Sequence, residues 1–435
     1  MYKIILNLHL FDDVINRTSD SGLTPEMKTY YSKQLIRLMS PKLLHGKWAK
    51  KYTIPPKSGM IIEMRRIGTL PKALTAISEA VLPTGGTIAV TAITATLEQY
   101  GYFIKYSDLL DLVAIDPMLE EFTSALANQA GRTKDTLTRE IVQGGTSRLF
   151  APIVSGGSET PVLLRSSITT NAKLTCAMIR EMVAYLKRVD APQINGVYPI
   201  IIHTDVAMDL QADSDWKEAH KYNDAKAIWQ GYLGEYGGAE FYETTEAKII
   251  GPDWIFGNAD SGGVARMTLH VALDGTGSTN IFPNETITAA QAAELTARIA
   301  AAAEDGDTVD LYVGGNLCTL VSVTAGAADT GKFVVNETVK NVAADAVICG
   351  TGAGSDGSAV YCSLMLGDGA YAETNLESAG LDFIVKPTTS GGAENALNQY
   401  GSVGWKMLHV AKRLVETYMI RCEHSASYGA SAVSN

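Results

Sequence analysis

Three clusters in this chain carry residue types that could do chemistry. Gly352, Gly354 and Gly357 match GxGxxG, the turn that brings backbone against a dinucleotide pyrophosphate at the start of a helix. Here the β-prone run Ala359–Leu366 follows instead of a helix, so the stretch reads as a glycine-rich loop. The run from Gly326 to Gly331-Lys332 imitates a phosphate-cradling P-loop, but Phe333 stands where a hydroxyl would have to meet magnesium. His203, Asp205, Asp209, His220 and Asp224 are metal-ligating types whose spacing fits no common ligand pattern. Asp205 reads better as a helix cap and the others as exposed polar residues. There is no nucleophile elbow, no HExxH and no convergent acid–base pair. No catalytic residue, cofactor or metal is expected, and the chain does not read as an enzyme.

Composition narrows the classes further. The 435 residues exceed what one core usually supports, so more than one packing unit is expected. No apolar run reaches the roughly 18–20 residues of a membrane helix. The N-terminal MYKIILNLHLFDD has a basic residue ahead of apolar ones, but Asn7, His9 and Asp12-Asp13 interrupt it, so an unexported chain is expected. Five scattered cysteines, Cys176, Cys318, Cys349, Cys362 and Cys422, suggest neither a disulfide framework nor a zinc site.

Charge is segregated. Between Met27 and Ile62 there are eight basic residues and no acidic one: Lys28, Lys33, Arg37, Lys42, Lys47, Lys50, Lys51 and Lys57. Setting these eight charges aside, the net −11 of the chain becomes −19 on the rest. A solvated basic face accounts for this, and so does a basic arm lying across an acidic neighbour, where complementary charge sets register. Nucleic-acid readout is disfavoured, since no recognition motif accompanies the charge.

The elements that would position these groups can be read in turn. Leu119, Phe122, Leu126, Ala130, Thr133, Leu137 and Ile141 recur at helical spacing, predicting a helix over 117–143 of roughly 40 Å. Asp116 suits its N-cap, Pro117 its first position and Gly144-Gly145 its stop. Thr24 caps a short helix carrying Tyr31, Leu35 and Leu38, too few apolar residues for a core of its own. Met60–Ile67 and Thr87–Lys105 read as the strands of a long hairpin, with Gly68, Pro71, Pro83 and Gly85-Gly86 in loops. Such a hairpin is marginal in water and needs a partner surface. Further on, a helix through Met178, Met182 and Leu186, strands at 198–203 and 239–250, and a helix from Asp205 to Leu210 form a mixed α/β region. Thr288 and Gln291 make a capping box, and Gly314-Gly315-Asn316 marks a hairpin between 310–313 and 317–323. From Thr268 to Val360 there are eleven acidic and three basic residues, as in a self-contained insert. Strands at 361–366 and 381–385 follow, then an expected final helix, Trp405–Glu423, and a mobile tail.

Six segments together carry a resemblance: LTPEMKTYYSKQLIRL (23–38), ITATLEQYGYF (93–103), DLLDLVAIDP (108–117), YPIIIHTDVAMDL (198–210), AEFYETTEAKI (239–249) and LNQYGSVGWKMLHVAKRL (397–414). In this order they resemble the major capsid proteins of tailed bacteriophages. The resemblance implies an α+β, HK97-like capsid fold. Its parts would be an N-terminal arm (1–50), an E-loop (51–104), a peripheral domain (105–190, with the spine helix, and 381–425) and an axial domain (191–264 and 356–380). An inserted small β-rich domain (265–355) departs from the family's short version, and 426–435 would be a flexible tail. It also implies an icosahedral head built of hexamers and pentamers of identical subunits, enclosing double-stranded DNA without sequence-specific binding. Procapsid expansion, a scaffolding protein, a portal and a decoration protein are further implied, with assembly in the bacterial host cytoplasm, residence in the virion capsid and no membrane. Candidate inter-subunit contacts are Lys28, Lys33, Arg37, Lys42, Lys47, Lys50 and Lys51, with Arg65 and Arg66 of the hairpin. An encapsulin-like compartment shell and an enzyme using the 265–355 insert are the alternatives.

Overall fold

The computed structural model describes residues 15–16, 44–54, 59–67, 70, 72, 74, 76, 86–113, 118–156, 158–220, 233–257, 263–305, 307–376, 382–386, 397–432 and 434–435. The chain divides into two compact units, 1–142 with 371–414, and 143–370 with 415–435.

The first unit is a sheet with the long helix on it. Its strands run in the order Ile15–Asn16, Glu98–Ser107, Tyr400–Arg413, Tyr371–Leu376, Lys50–Ile54, and Asp382–Lys386 also pairs with Tyr400–Arg413. The helix spans Met118–Gln143; its expected cap Asp116 and first residue Pro117 lie outside the described residues. Leu126 and Ala130 pack with Val403, Trp405 and Met407 of the sheet, and Phe122 and Leu137 join them. The indole N–H of Trp405 donates to the Gln129 side chain at 3.2 Å, so its polar edge is satisfied where its body is buried.

The expected final helix is not formed. Residues 405–423 lie in strand Tyr400–Arg413, a single turn Glu416–Tyr418 and strand Met419–His424. The cause is a competing periodicity: Val403, Trp405, Met407, His409 and Ala411 are buried at every second position, which is strand spacing. The ladder from Tyr400↔Ser107 to His409↔Glu98 supplies the backbone partners. The run 87–105 is also corrected, from one strand to two. Val90–Thr96 pairs with Ile61–Ile67, and after buried Leu97 the chain passes to the other sheet as Glu98–Ser107.

The second unit holds two large sheets and a two-stranded one, Ile153–Ser155 with Ser158–Thr160. In one of the large sheets, the order is Glu235–Tyr236, Ala239–Glu243, Tyr198–Ile202, Val360–Leu366, Met419–His424, Arg148–Phe150, with Ile249–Ile250 on Val360–Leu366. The central strands YPIII and VYCSLML are buried at every residue, the continuous pattern of strands covered on both faces. Helix Cys176–Arg188 covers one part, burying Met178, Ile179, Met182, Val183 and Leu186 beneath a Thr175 N-cap. Helix Thr204–Ala212 is capped by His203, whose ring accepts from the Asp205 N–H; Asp205 is in the first turn and is not the cap, as had been expected.

The other sheet, Arg266–Thr268, Val347–Gly350, Asp310–Val313, Asn316–Thr324, Lys332–Val339, Ser278–Ile281, has a core of its own around Leu269, Leu295, Val313, Leu320 and Phe333. Its helix Ala289–Asp305 begins with a reciprocal capping box: Thr288 N–H donates to the Gln291 side chain at 2.9 Å, and Gln291 N–H to Thr288 Oγ1 at 3.3 Å. Gly314 and Gly315, at φ 51° and 81°, form the two-residue turn between paired Val313 and Asn316. Both residues of such a turn sit in the left-handed region, which is open to glycine.

The described residues of the tail are packed and hydrogen-bonded. Ser425 and Ala426 are buried, and Ser427 N–H donates to Asp209 at 2.6 Å. The Asn435 carboxamide accepts from Ile249 N–H at 2.9 Å and donates to the Ala247 carbonyl at 2.8 Å. Arg266 meets the carbonyls of Ser431 and Gly357.

Candidate functional site

The basic candidates gather on one described segment, 44–54. Lys28, Lys33, Arg37 and Lys42 lie outside the described residues, as do Lys57 and the short helix expected from Thr24. Leu44, Ala49 and Ile54 turn inward, while Lys47, Lys50 and Lys51 are exposed. Lys47 Nζ sits 5.1 Å from the Trp48 ring centre and Lys50 Nζ 5.5 Å from that of Tyr52, so both stems lie along aromatic surface with their charges in water. On the hairpin, Arg66 is exposed and Arg65 pairs with Glu63 at 2.9 Å in solvent, a contact of small worth at such exposure.

This segment is held by buried polar groups that a local reading of the sequence misses. His45 N–H donates to Asp135 Oδ1 at 2.9 Å and its Nδ1 lies 2.7 Å from Asp135 Oδ2. The His45 carbonyl accepts from the Tyr371 hydroxyl, whose pKa burial pushes far up, so it stays a donor. Lys50–Ile54 then pairs in parallel with Tyr371–Leu376 from Lys50↔Ala372 to Ile54↔Leu376. Nearby, buried Glu373 meets Lys134 Nζ at 2.5 Å and His409 Nδ1 at 3.4 Å, and His409 Nε2 lies 3.1 Å from Thr138 Oγ1. Burial lowers the His409 pKa against the pull of Glu373. Nothing local marks these groups, since at helical spacing Asp135 lies on the side opposite the stripe of Leu126, Ala130 and Leu137.

The hairpin Ile61–Ile67/Val90–Thr96 rests on Ala372 through Met64 and Ala95. Its other side chains are unusually bare for apolar residues: Ile61 is 65% exposed, and Met60, Ile88 and Val90 more than half. Leu74 between the strands is 87% exposed. The register from Ile61↔Thr96 to Ile67↔Val90 spreads these exposed apolar residues over both ends of the hairpin.

The other chemistry-like clusters dissolve into structural roles. Asp205 accepts from the Tyr361 hydroxyl at 2.6 Å, and Asp209 takes the Ser427 N–H. Asp224 lies outside the described residues. Gly354 and Gly357 lead into strand Val360–Leu366 through a single turn, Ser355–Gly357, and Gly326 and Gly331 close the turn between Asn316–Thr324 and Lys332–Val339. One buried ion cluster stands out electrostatically. Glu423 accepts from Arg165 Nε at 2.6 Å and Nη2 at 2.9 Å, with Arg421 Nη2 at 2.8 Å. Burial pushes this carboxyl up, but the Arg165 hydrogen bonds and the Arg421 charge outweigh it and hold its pKa below the usual carboxylate range.

No family model matches the chain, and no curated protein matches it. Solved structures do. The capsid structure of the cyanophage P-SCSP1u superimposes with a TM-score of 0.52 at 10% identity, covering 92% of this chain and 93% of that one. The capsid of Ralstonia phage GP4 gives 0.49 at 9% identity, covering 87% of each chain. The head of the Helicobacter pylori bacteriophage KHP40 gives 0.47 at 12%, covering 86% of this chain and 87% of that one. The chain therefore has the mixed α+β, HK97-like fold of phage capsid proteins.

Proposed function

We propose that this chain is a major capsid protein that assembles with copies of itself into the icosahedral head of a tailed bacteriophage around double-stranded DNA. The observation that carries the reading is the likeness of fold to a cyanophage capsid over nearly the whole length of both chains. Two surfaces support it: the bare apolar hairpin and the exposed basic face of 44–54, each anchored from behind and open in front. In this reading residues 51–104 are the E-loop, reaching over an adjacent subunit. Lys47, Lys50, Lys51, Arg65 and Arg66, with Lys28, Lys33, Arg37 and Lys42 of the arm, contact acidic surface of the neighbours. The acidic balance of the chain suits a wall that does not grip DNA, since tight binding comes from many Lys/Arg–phosphate contacts. Expansion from a procapsid, and help from scaffold, portal and decoration proteins, belong to the same proposal, as does residence in the virion. Electron microscopy of the protein expressed alone tests it: closed shells, tubes or capsomers are expected. A stable monomer with residues 1–104 folded on their own body would refute it, and shells loaded with an enzyme would point to a compartment.

A further inference from the structure

We infer that a cleft in the second unit seats a carboxylate side chain from another copy of this chain. The cleft has a volume of about 440 Å³ and is walled by Ser147, Arg148, Glu181, Tyr185 and Arg188. Its two guanidiniums are mounted on rigid elements. Arg148 opens strand Arg148–Phe150, the last strand of its sheet, and Arg188 ends helix Cys176–Arg188. Each lies over an aromatic ring, Arg148 at 5.6 Å from Phe150 and Arg188 at 5.8 Å from Tyr185. An arginine resting on a ring can keep its N–H edges, the part shaped to take a planar carboxylate in two parallel hydrogen bonds.

Those edges meet no carboxylate among the described residues, and both side chains are exposed. Arg165 and Arg421 of the same unit are the contrast, since buried Glu423 takes up their donors. Ser147 Oγ donates to the Glu416 carbonyl at 3.3 Å and so accepts from the Tyr185 hydroxyl at 3.1 Å, which leaves the two guanidiniums as the donors for an incoming carboxylate. The bland account of Arg188, a cation complementing the negative end of its helix, does not explain Arg148 beside it on a strand.

Size and charge select the occupant. At about 440 Å³ the recess has room for a side chain or two. Glu181 lines the same cleft, so the wall carries two positive charges against one negative. That suits a single carboxylate and disfavours a run of phosphates. Another copy of this chain is rich in such groups, with 47 acidic residues against 36 basic ones and most of the positive excess confined to 27–62. The inference rests on the proposed shell, in which copies lie side by side.

The test is a cryo-electron microscopy map of shells of the full-length protein, with assembly of Arg148→Gln/Arg188→Gln measured alongside. A neighbouring copy's carboxylate within ~4 Å of either guanidinium is expected. The double variant should need about tenfold more protein, or more, to assemble, with its thermal midpoint unchanged. Shells that form with the cleft empty in the map, or a folded double variant that assembles like wild type, overturn the inference and leave the proposed function standing. A wild-type chain that forms no assembly overturns both. Binding of a short DNA duplex by the wild type that the double variant loses, with assembly unaffected, would reassign the cleft to nucleic-acid phosphate and overturn it as stated. If the double variant does not fold, the map decides.

Discussion

Mild acid should weaken the second unit through one histidine. His424 is fully buried, its Nδ1 3.0 Å from the Ser425 carbonyl and its Nε2 2.8 Å from Ser363 Oγ. A carbonyl only accepts, so Nδ1 carries the proton and Nε2 accepts from the Ser363 hydroxyl. A second proton would put a charge in a dry core. Burial lowers the pKa from 6.5 to about 4, although the Ser425 carbonyl, Asp209 and Glu423 pull the other way. Well above pH 6.5 the ring is neutral in both states and its titration contributes nothing. Below it the unfolded chain binds a proton that the folded chain refuses, so stability falls with pH until the folded ring also titrates near 4. At about 1.36 kcal/mol per unit the full loss is roughly 3 kcal/mol, of which roughly 2 kcal/mol is reached by pH 5. Urea unfolding of the full-length protein at pH 7.5 and pH 5, followed by circular dichroism, measures this against His424→Gln. Burial also lowers the pKa of His203 and His409, so only the difference between the two proteins isolates His424. The variant should start less stable at pH 7.5 and lose roughly 2 kcal/mol less on acidification. Equal pH dependence in both proteins would refute the reasoning.

Three further outcomes follow from the packing. Glu423→Gln leaves Arg421 and Arg165 facing a neutral amide in a largely dry site; a loss of about 3 kcal/mol is expected, or roughly 6–12 °C in the thermal midpoint, and a shift under about 2 °C would count against it. Gly314→Ala forces φ +51° on a residue with a Cβ, which would also lie 2.5 Å from Val342 Cγ1. The backbone alone costs about 1–2 kcal/mol, so faster amide hydrogen exchange in strands Asp310–Val313 and Asn316–Thr324 is expected, and unchanged rates would exclude the turn assignment. Removing residues 426–435 deletes the bonds from Ser427 to Asp209 and from Asn435 to Ile249 and Ala247; at about 1 kcal/mol each the midpoint should drop measurably, whereas a merely mobile tail would leave it where it is.

How far the fold could be read in the sequence depended on how far apart the partners lie. The long helix, the capping box of Thr288 and Gln291 and the Gly314-Gly315 turn are written within a few residues, and each was legible. Trp405–Glu423 was not, because Met407, Val410 and Leu414 sit as well at helical spacing as Trp405, Met407 and His409 do at strand spacing. What decides is the ladder with Glu98–Ser107, some 300 residues earlier. The same holds for the polar anchors. His45 and Asp135 are 90 residues apart, and Arg165 and Glu423 are 258 apart. Neither pair has a local pattern that announces it, and an unpaired buried charge is the only hint a sequence offers. The contacts of the tail were hidden for a different reason. SASYGASAVSN has the small, polar composition of mobile segments, but it is held through backbone groups and the Asn435 carboxamide, which composition does not record. The basic stretch 27–62 stands between these cases. Its charge is legible by counting, and its described part is fixed from behind by His45 and strand Lys50–Ile54. A rigid back with an exposed cationic front has a low entropic cost of docking, which makes Lys47, Lys50 and Lys51 better contact candidates than the same charges on a free chain. Reversing them to glutamate should therefore impair assembly more than the same three reversals at exposed Lys187, Lys217 and Lys340, and equal impairment in a sedimentation assay would mean that net charge, not position, governs association.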